Sequence, residues 1–146
     1  MTLQACGYLM WPNVLGADSS SNSGLSLTTS TFDSTTDRAT YVGRSTITDS
    51  IASVSFRTGT VVTGNTMEVR IETVTNGRPS GTLWNTTTNG TVVIADADDN
   101  AWKTVTLTSA ASLTVGDEFA IVFVNSSGTP NLQLTGTLAS ASNFRG

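Results

Sequence analysis

The sequence predicts an all-β protein, a two-sheet antiparallel β-sandwich with an extended N-terminal arm. Three observations carry that expectation. Apolar side chains recur with period two in several segments, turn residues punctuate the chain roughly every 8–12 residues, and no stretch shows a convincing 3.6-residue apolar period. A chain of 146 residues is long enough to bury a core of its own.

The arm and linker are expected over residues 1–36, and the sandwich over residues 37–146. In the arm, Leu9, Met10, Trp11, Val14 and Leu15 form an apolar cluster broken by Pro12, and residues 18–24 (DSSSNSG) have a flexible-linker composition. Two readings of the cluster stand side by side: it packs on its own domain, or it clamps a neighbouring subunit as an assembly anchor.

Strand signals begin at Ala39. Residues 39–48 carry Tyr41, Val42 and Ile47. Residues 51–58 alternate, with Ala52, Val54 and Phe56 on the side expected to be buried and Ser53, Ser55 and Arg57 opposite. After a turn at Gly64-Asn65, Met67, Val69 and Ile71 alternate with Glu68, Arg70 and Glu72, which read as an exposed charge row. Asn76-Gly77 marks a tight turn that Pro79 and Gly81 are expected to extend. Residues 91–95 form a short apolar strand and residues 96–100 a loop. Lys103, Val105 and Leu107 then oppose Trp102, Thr104 and Thr106. Gly116-Asp117 turns the chain into residues 119–124, apolar on both faces as in the middle of a sandwich. Residues 125–130 form a further turn, and Leu132 and Leu134 sit on a last short strand. Seven or eight strands result.

Charge excludes several function classes. There are 7 basic and 11 acidic residues, a net charge of −4, and only 12% charged residues. Neutralising a phosphate backbone takes clustered Lys and Arg, whereas the arginines here are scattered and Lys103 is the one lysine, so no nucleic-acid partner is expected. The most apolar run, residues 119–124, falls far short of the ~20 residues of a spanning helix, so no membrane partner is expected. Cys6 is the single cysteine, which leaves no intrachain disulfide. A signal peptide is not visible. A protein assembled in a bacterial cytoplasm and freed by lysis would look like this, and so would a domain of a longer secreted protein.

Catalysis is not expected. The chain has no histidine, which removes Ser-His-Asp and Cys-His pairs. Glu68 and Glu72 are separated by four residues of strand, ~13 Å, too far for a glycosidase pair at ~5–9.5 Å. No cofactor is expected beyond a candidate Ca²⁺ at Asp96, Asp98, Asp99 and Asn100, the densest cluster of oxygen ligands. The competing reading of that cluster is a solvated acidic turn, and the glycine that shapes an EF-hand loop is absent. Trp84 is expected to expose a ring suited to stacking on a sugar.

The middle of the chain carries a recognisable order of parts. Strand 67–74 leads to Asn76-Gly77-Arg78-Pro79-Ser80-Gly81-Thr82-Leu83. Trp102-Lys103-Thr104-Val105-Thr106-Leu107 follows, and then Leu113-Thr114-Val115-Gly116-Asp117-Glu118 and strand 119–123. This order resembles jelly-roll β-sandwich modules of bacteriophage structural proteins and bacterial extracellular proteins, which share a G-x-P-S-G-x-L turn, a W-x-x-(V/F)-x-L strand and an L-x-x-G-x-x-(Y/F)-A-(I/L)-V strand. The resemblance implies a jelly roll in which Pro79 and Gly81 shape a turn, Trp102 seals one end of the core and Gly116 releases the central strand. With the composition, it leads to the expectation of a phage virion accessory protein: a head decoration, fibre-base or tail-associated component. Its partners would be other virion proteins and copies of itself. The alternative is a carbohydrate-binding module of a secreted protein or phage fibre, extracellular and directed at host-surface glycans.

Overall fold

The computed structural model of the protein describes Thr29–Phe32, residues 38–127 and Asn131–Ser140. These residues form nine strands and no helix: β1 (Thr29–Phe32), β2 (Arg38–Arg44), β3 (Asp49–Thr63), β4 (Asn65–Thr75), β5 (Arg78–Leu83), β6 (Asn89–Ile94), β7 (Trp102–Leu113), β8 (Glu118–Ser127) and β9 (Asn131–Ser140).

The strands make two antiparallel sheets. Sheet one has the order β1-β9-β3-β7. Sheet two has the order β2-β8-β4-β5, with β6 also on β4. β5 pairs with the C-terminal part of β4, at Glu72, Val74 and Thr75, and β6 with its N-terminal part, from Asn65 to Arg70. The two are therefore one edge strand with a break in it. Counted so, the first strand pairs with the last, the second with the second-last, the third with the sixth and the fourth with the fifth, each successive pair nested inside the one before and alternating between sheets. That is the wrapping of a jelly roll. Sheet one takes in Thr29–Phe32, so the sandwich begins N-terminal to the boundary expected at residue 37.

The break in the edge strand falls opposite Ile71. The Trp84 N–H donates to the Ile71 carbonyl at 2.8 Å, and the Ile71 N–H donates to the Thr88 carbonyl at 2.8 Å, so residues 85–87 loop out while both backbone groups of Ile71 stay satisfied. Buried Thr88 closes the loop: its hydroxyl accepts from the Asn85 N–H at 3.1 Å. Beyond the loop, Gly90 passes so close to β7 that a Cβ there would lie 2.3 Å from the Thr106 carbonyl oxygen. Only glycine lets the two sheets meet along this seam.

Facing side chains of the two sheets form the core. Val54, Phe56, Val105 and Leu107 of sheet one are buried against Val69, Ile71, Ile121 and Phe123 of sheet two, as the alternation predicts. Phe56 and Phe123 meet edge to face across the sandwich with centroids 5.1 Å apart, and Tyr41 packs on Phe123 at 6.2 Å. Burial raises the Tyr41 hydroxyl to about 12. β8 is buried on both faces from Phe119 to Phe123, as expected.

β3 departs from strict alternation. Its inward residues are Ile51, then Val54 and Phe56, then Val61, and its pairing shifts register between Ile51 and Ser53 and again between Thr58 and Val61. Such bulges reverse which face a side chain takes. Ala52 is therefore only half-buried and Ser53 is buried, the reverse of the simple reading. Residues 78–83, expected as a turn, form β5. Only Asn76 and Gly77, at φ +53° and +72°, make the turn itself, while Gly81 lies within β5 with a positive φ of +81°. β8 runs on to Ser127, and β9, at 10 residues, is longer than the short strand expected. No helix of the described residues is long and apolar enough to cross a membrane.

Candidate functional site

The acidic loop between β6 and β7 is held by its own carboxylates. β3 outlasts its partner β7, whose pairing stops at Arg57 opposite Trp102. Beyond that rung the backbone of β3 needs other partners, and the loop supplies them. Asp99 Oδ1 accepts from the Val61 N–H at 2.6 Å, the Asn100 N–H donates to the Gly59 carbonyl at 3.0 Å, and Asp96 Oδ1 accepts from the Gly64 N–H at 2.7 Å. Asp98 Oδ2 accepts from the Ala95 N–H at 2.7 Å and pairs with Lys103 Nζ at 2.5 Å. The Lys103 hydrogen bond, and then the Ala95 N–H, lower the Asp98 carboxyl below its ordinary value. Asp96, Asp98 and Asp99 thus sit in one loop but turn their carboxylates to different partners, while Asn100 adds its backbone N–H. Among the described residues no three acidic or sulfur- or imidazole-bearing side chains gather as a metal would require. The arrangement is a brace for the β3–β4 corner.

Glu68, Arg70 and Glu72 lie in a row on the outer face of β4, as predicted, but the row is not exposed. Glu72 has 0% of its surface accessible. β5 lies against β8 and β2 as well as β4; a strand lying flat at the sheet edge could not reach both, so β5 folds over the outer face. Ala120 and Val122, the β8 partners of Glu72 and Arg70, are buried like Glu72, while Arg70 is half-buried. Arg70 Nε faces Glu72 Oε1 at 2.8 Å as an ion pair, and neither atom is in a hydrogen bond. Arg70 also donates to the Gly81 carbonyl at 3.1 Å, and Asn89 donates to Glu68 at 2.6 Å. The row is a clamp on β5.

The two described tryptophans exchange the places expected for them. Trp84 packs against the core, and its indole N–H donates to the Ser112 carbonyl at 2.9 Å, across to the other sheet. It is not the freely exposed ring the sequence suggested. Trp102, expected to seal the core, is 53% exposed. The alternation of residues 102–107 had already grouped Trp102 with Thr104 and Thr106, which are exposed too. Cys6 and the arm residues Leu9, Met10, Trp11, Val14 and Leu15 lie outside the described residues.

No protein-family model, curated protein or solved structure matches the chain.

Proposed function

We propose that this chain is a bacteriophage virion accessory protein, a head-decoration, fibre-base or tail-associated component that works mechanically. The nested strand order of the jelly roll carries the reading. It gives a rigid block closed along one seam, and it agrees with the resemblance between residues 67–123 and the jelly-roll modules of phage structural proteins. Support also comes from the use of polar side chains described above: the acidic loop braces a corner, and the partly covered charge row, with Glu72 fully buried, clamps an edge strand. Both are investments in rigidity.

In this proposal the arm attaches the block to the particle. Leu9, Met10, Trp11, Val14 and Leu15 insert into a neighbouring virion protein or a second copy of the chain. At ~25 cal/mol per Å² of apolar surface, burying a few large side chains yields several kcal/mol, and repetition around a symmetric particle multiplies the effect. Assembly takes place in the bacterial cytoplasm, with no direct nucleic-acid or membrane contact.

Deleting residues 1–16 tests the proposal. The truncated chain is expected to keep its cooperative melting transition and to lose incorporation into particles or oligomers. Normal incorporation would overturn the anchor, and loss of the fold would assign the arm to the core instead.

A further inference from the structure

Trp102 opens β7 and is the largest exposed apolar side chain among the described residues. Its cross-strand partner on β3 is Arg57. On the next outward rung Ser55 faces Thr104, and their hydroxyls are hydrogen-bonded at 2.8 Å. Thr106, one rung further, is exposed as well. Successive outward residues stand ~7 Å apart along a strand. The outer face of sheet one therefore presents an indole, a guanidinium and a short run of hydroxyls side by side.

We propose that this face is a saccharide-binding platform, with Trp102 stacking on a pyranose ring, Arg57, Ser55 and Thr104 meeting its hydroxyls, and Thr106, two outward rungs away, meeting those of the next sugar along the chain. The chemistry of the two surfaces matches. A pyranose has an apolar C–H face and a rim of hydroxyls. The negative π face of an indole attracts polarised C–H groups. Ser and Thr hydroxyls both donate and accept, as sugar hydroxyls do, and a guanidinium donates in a fixed fork. A polyanion would meet a chain of net charge −4. A protein partner would suit Trp102 and Arg57, residue types enriched at interfaces, but not the row of hydroxyls beside them, since Ser is depleted there and hydroxyls left without water or a sugar are costly. The site is flat, so single contacts are weak, and strength comes from many copies on one polysaccharide. This inference does not rest on the particle reading: a platform on the sandwich serves a virion component and a secreted module equally.

The test is retention of the purified full chain on an array of immobilised bacterial surface polysaccharides and plant hexose polymers, with Trp102→Ala, Trp102→Phe and Thr108→Ala alongside. The chain is expected to bind at least one polysaccharide. Trp102→Ala should lower retention ~10-fold or more with an unchanged melting temperature, Trp102→Phe should restore part of it, and Thr108→Ala should leave it intact. Absence of retention on every polysaccharide would overturn the proposal, as would equal retention of Trp102→Ala. Loss of self-association in Trp102→Ala without any saccharide binding would also overturn it, and would assign the face to contact between copies.

Discussion

The amide N–H of Gly81 donates to Oε2 of Glu72 at 2.9 Å, joining a fully buried carboxylate on β4 to the one residue of β5 whose φ is positive. With Arg70 holding the Gly81 carbonyl, both backbone groups of a single glycine are gripped by one ion pair. This pair, with Glu72 wholly covered and Arg70 half-covered, ties the edge strand over sheet two.

Removing the carboxylate while leaving the guanidinium should therefore be costly. Glu72→Leu is expected to destabilise the sandwich by about 3–5 kcal/mol, the scale of a buried ion pair broken on one side. Glu72→Leu with Arg70→Met should recover much of that loss, since an apolar pair can replace a buried ionic one. Urea unfolding of the two variants measures it. A single-variant loss below about 1 kcal/mol would show that β5 is held by other contacts.

The seam between β6 and β7 makes a separate demand. Gly90→Ala sets a Cβ against the Thr106 carbonyl, and at the β3–β4 turn, away from that seam, Gly64→Ala sets one against the Ile94 carbonyl oxygen. Backbone cannot yield as a flexible side chain can, so each variant is expected to lose about 1–3 kcal/mol or more. Thermal melts that match the wild type would mean that β6 stands further from β7 at Gly90, or further from the β3–β4 turn at Gly64.

Asp98 gives the fold a dependence on acid. Its carboxyl is held below the ordinary value of 3.8 by Lys103 and the Ala95 N–H. A carboxyl with a lowered folded pKa contributes stability that is complete above the unfolded pKa and is lost as pH falls through the folded one. The wild type is thus expected to be more stable than Asp98→Asn at neutral pH, with the gap closing below about pH 4. Urea midpoints across that range provide the comparison, and a gap that persisted unchanged in acid would contradict the assignment.

The two tryptophans should respond oppositely to truncation. Trp84→Ala removes a ring packed on the core and its bond to Ser112, and is expected to cost about 2–4 kcal/mol. Trp102→Ala removes an exposed ring and should stay within about 0.5 kcal/mol of the wild type. Calorimetry of both decides it, and equal losses would place Trp102 in the core after all.

Much of the sandwich was legible because its strands obey local rules. The alternation of β4 and β7, the doubly apolar β8, the Asn76-Gly77 turn and the Gly116-Asp117 turn into β8 all follow from neighbouring residues alone. What escaped depends on partners distant in sequence. The reversals in β3 come from bulges set by pairing with β7 and β9. The burial of Glu72 comes from β5 folding over a face that its own strand marks as wet. Trp84 looked like the residue after a turn, whereas it begins the break between β5 and β6 and reaches to Ser112 on the opposite sheet. The acidic loop resembled a ligand set because its residues are adjacent, and only the N–H groups of Val61 and Gly64 show where Asp99 and Asp96 are directed.

Mass spectrometry of density-gradient-purified phage particles tests the proposed role as a fixed component of a virion. The chain is expected to sediment with the major capsid protein at constant stoichiometry and to survive a high-salt wash, because attachment through apolar burial is not screened as ion pairs are. Recovery of the chain only in the soluble fraction of the lysate, with none in the particles, would contradict it.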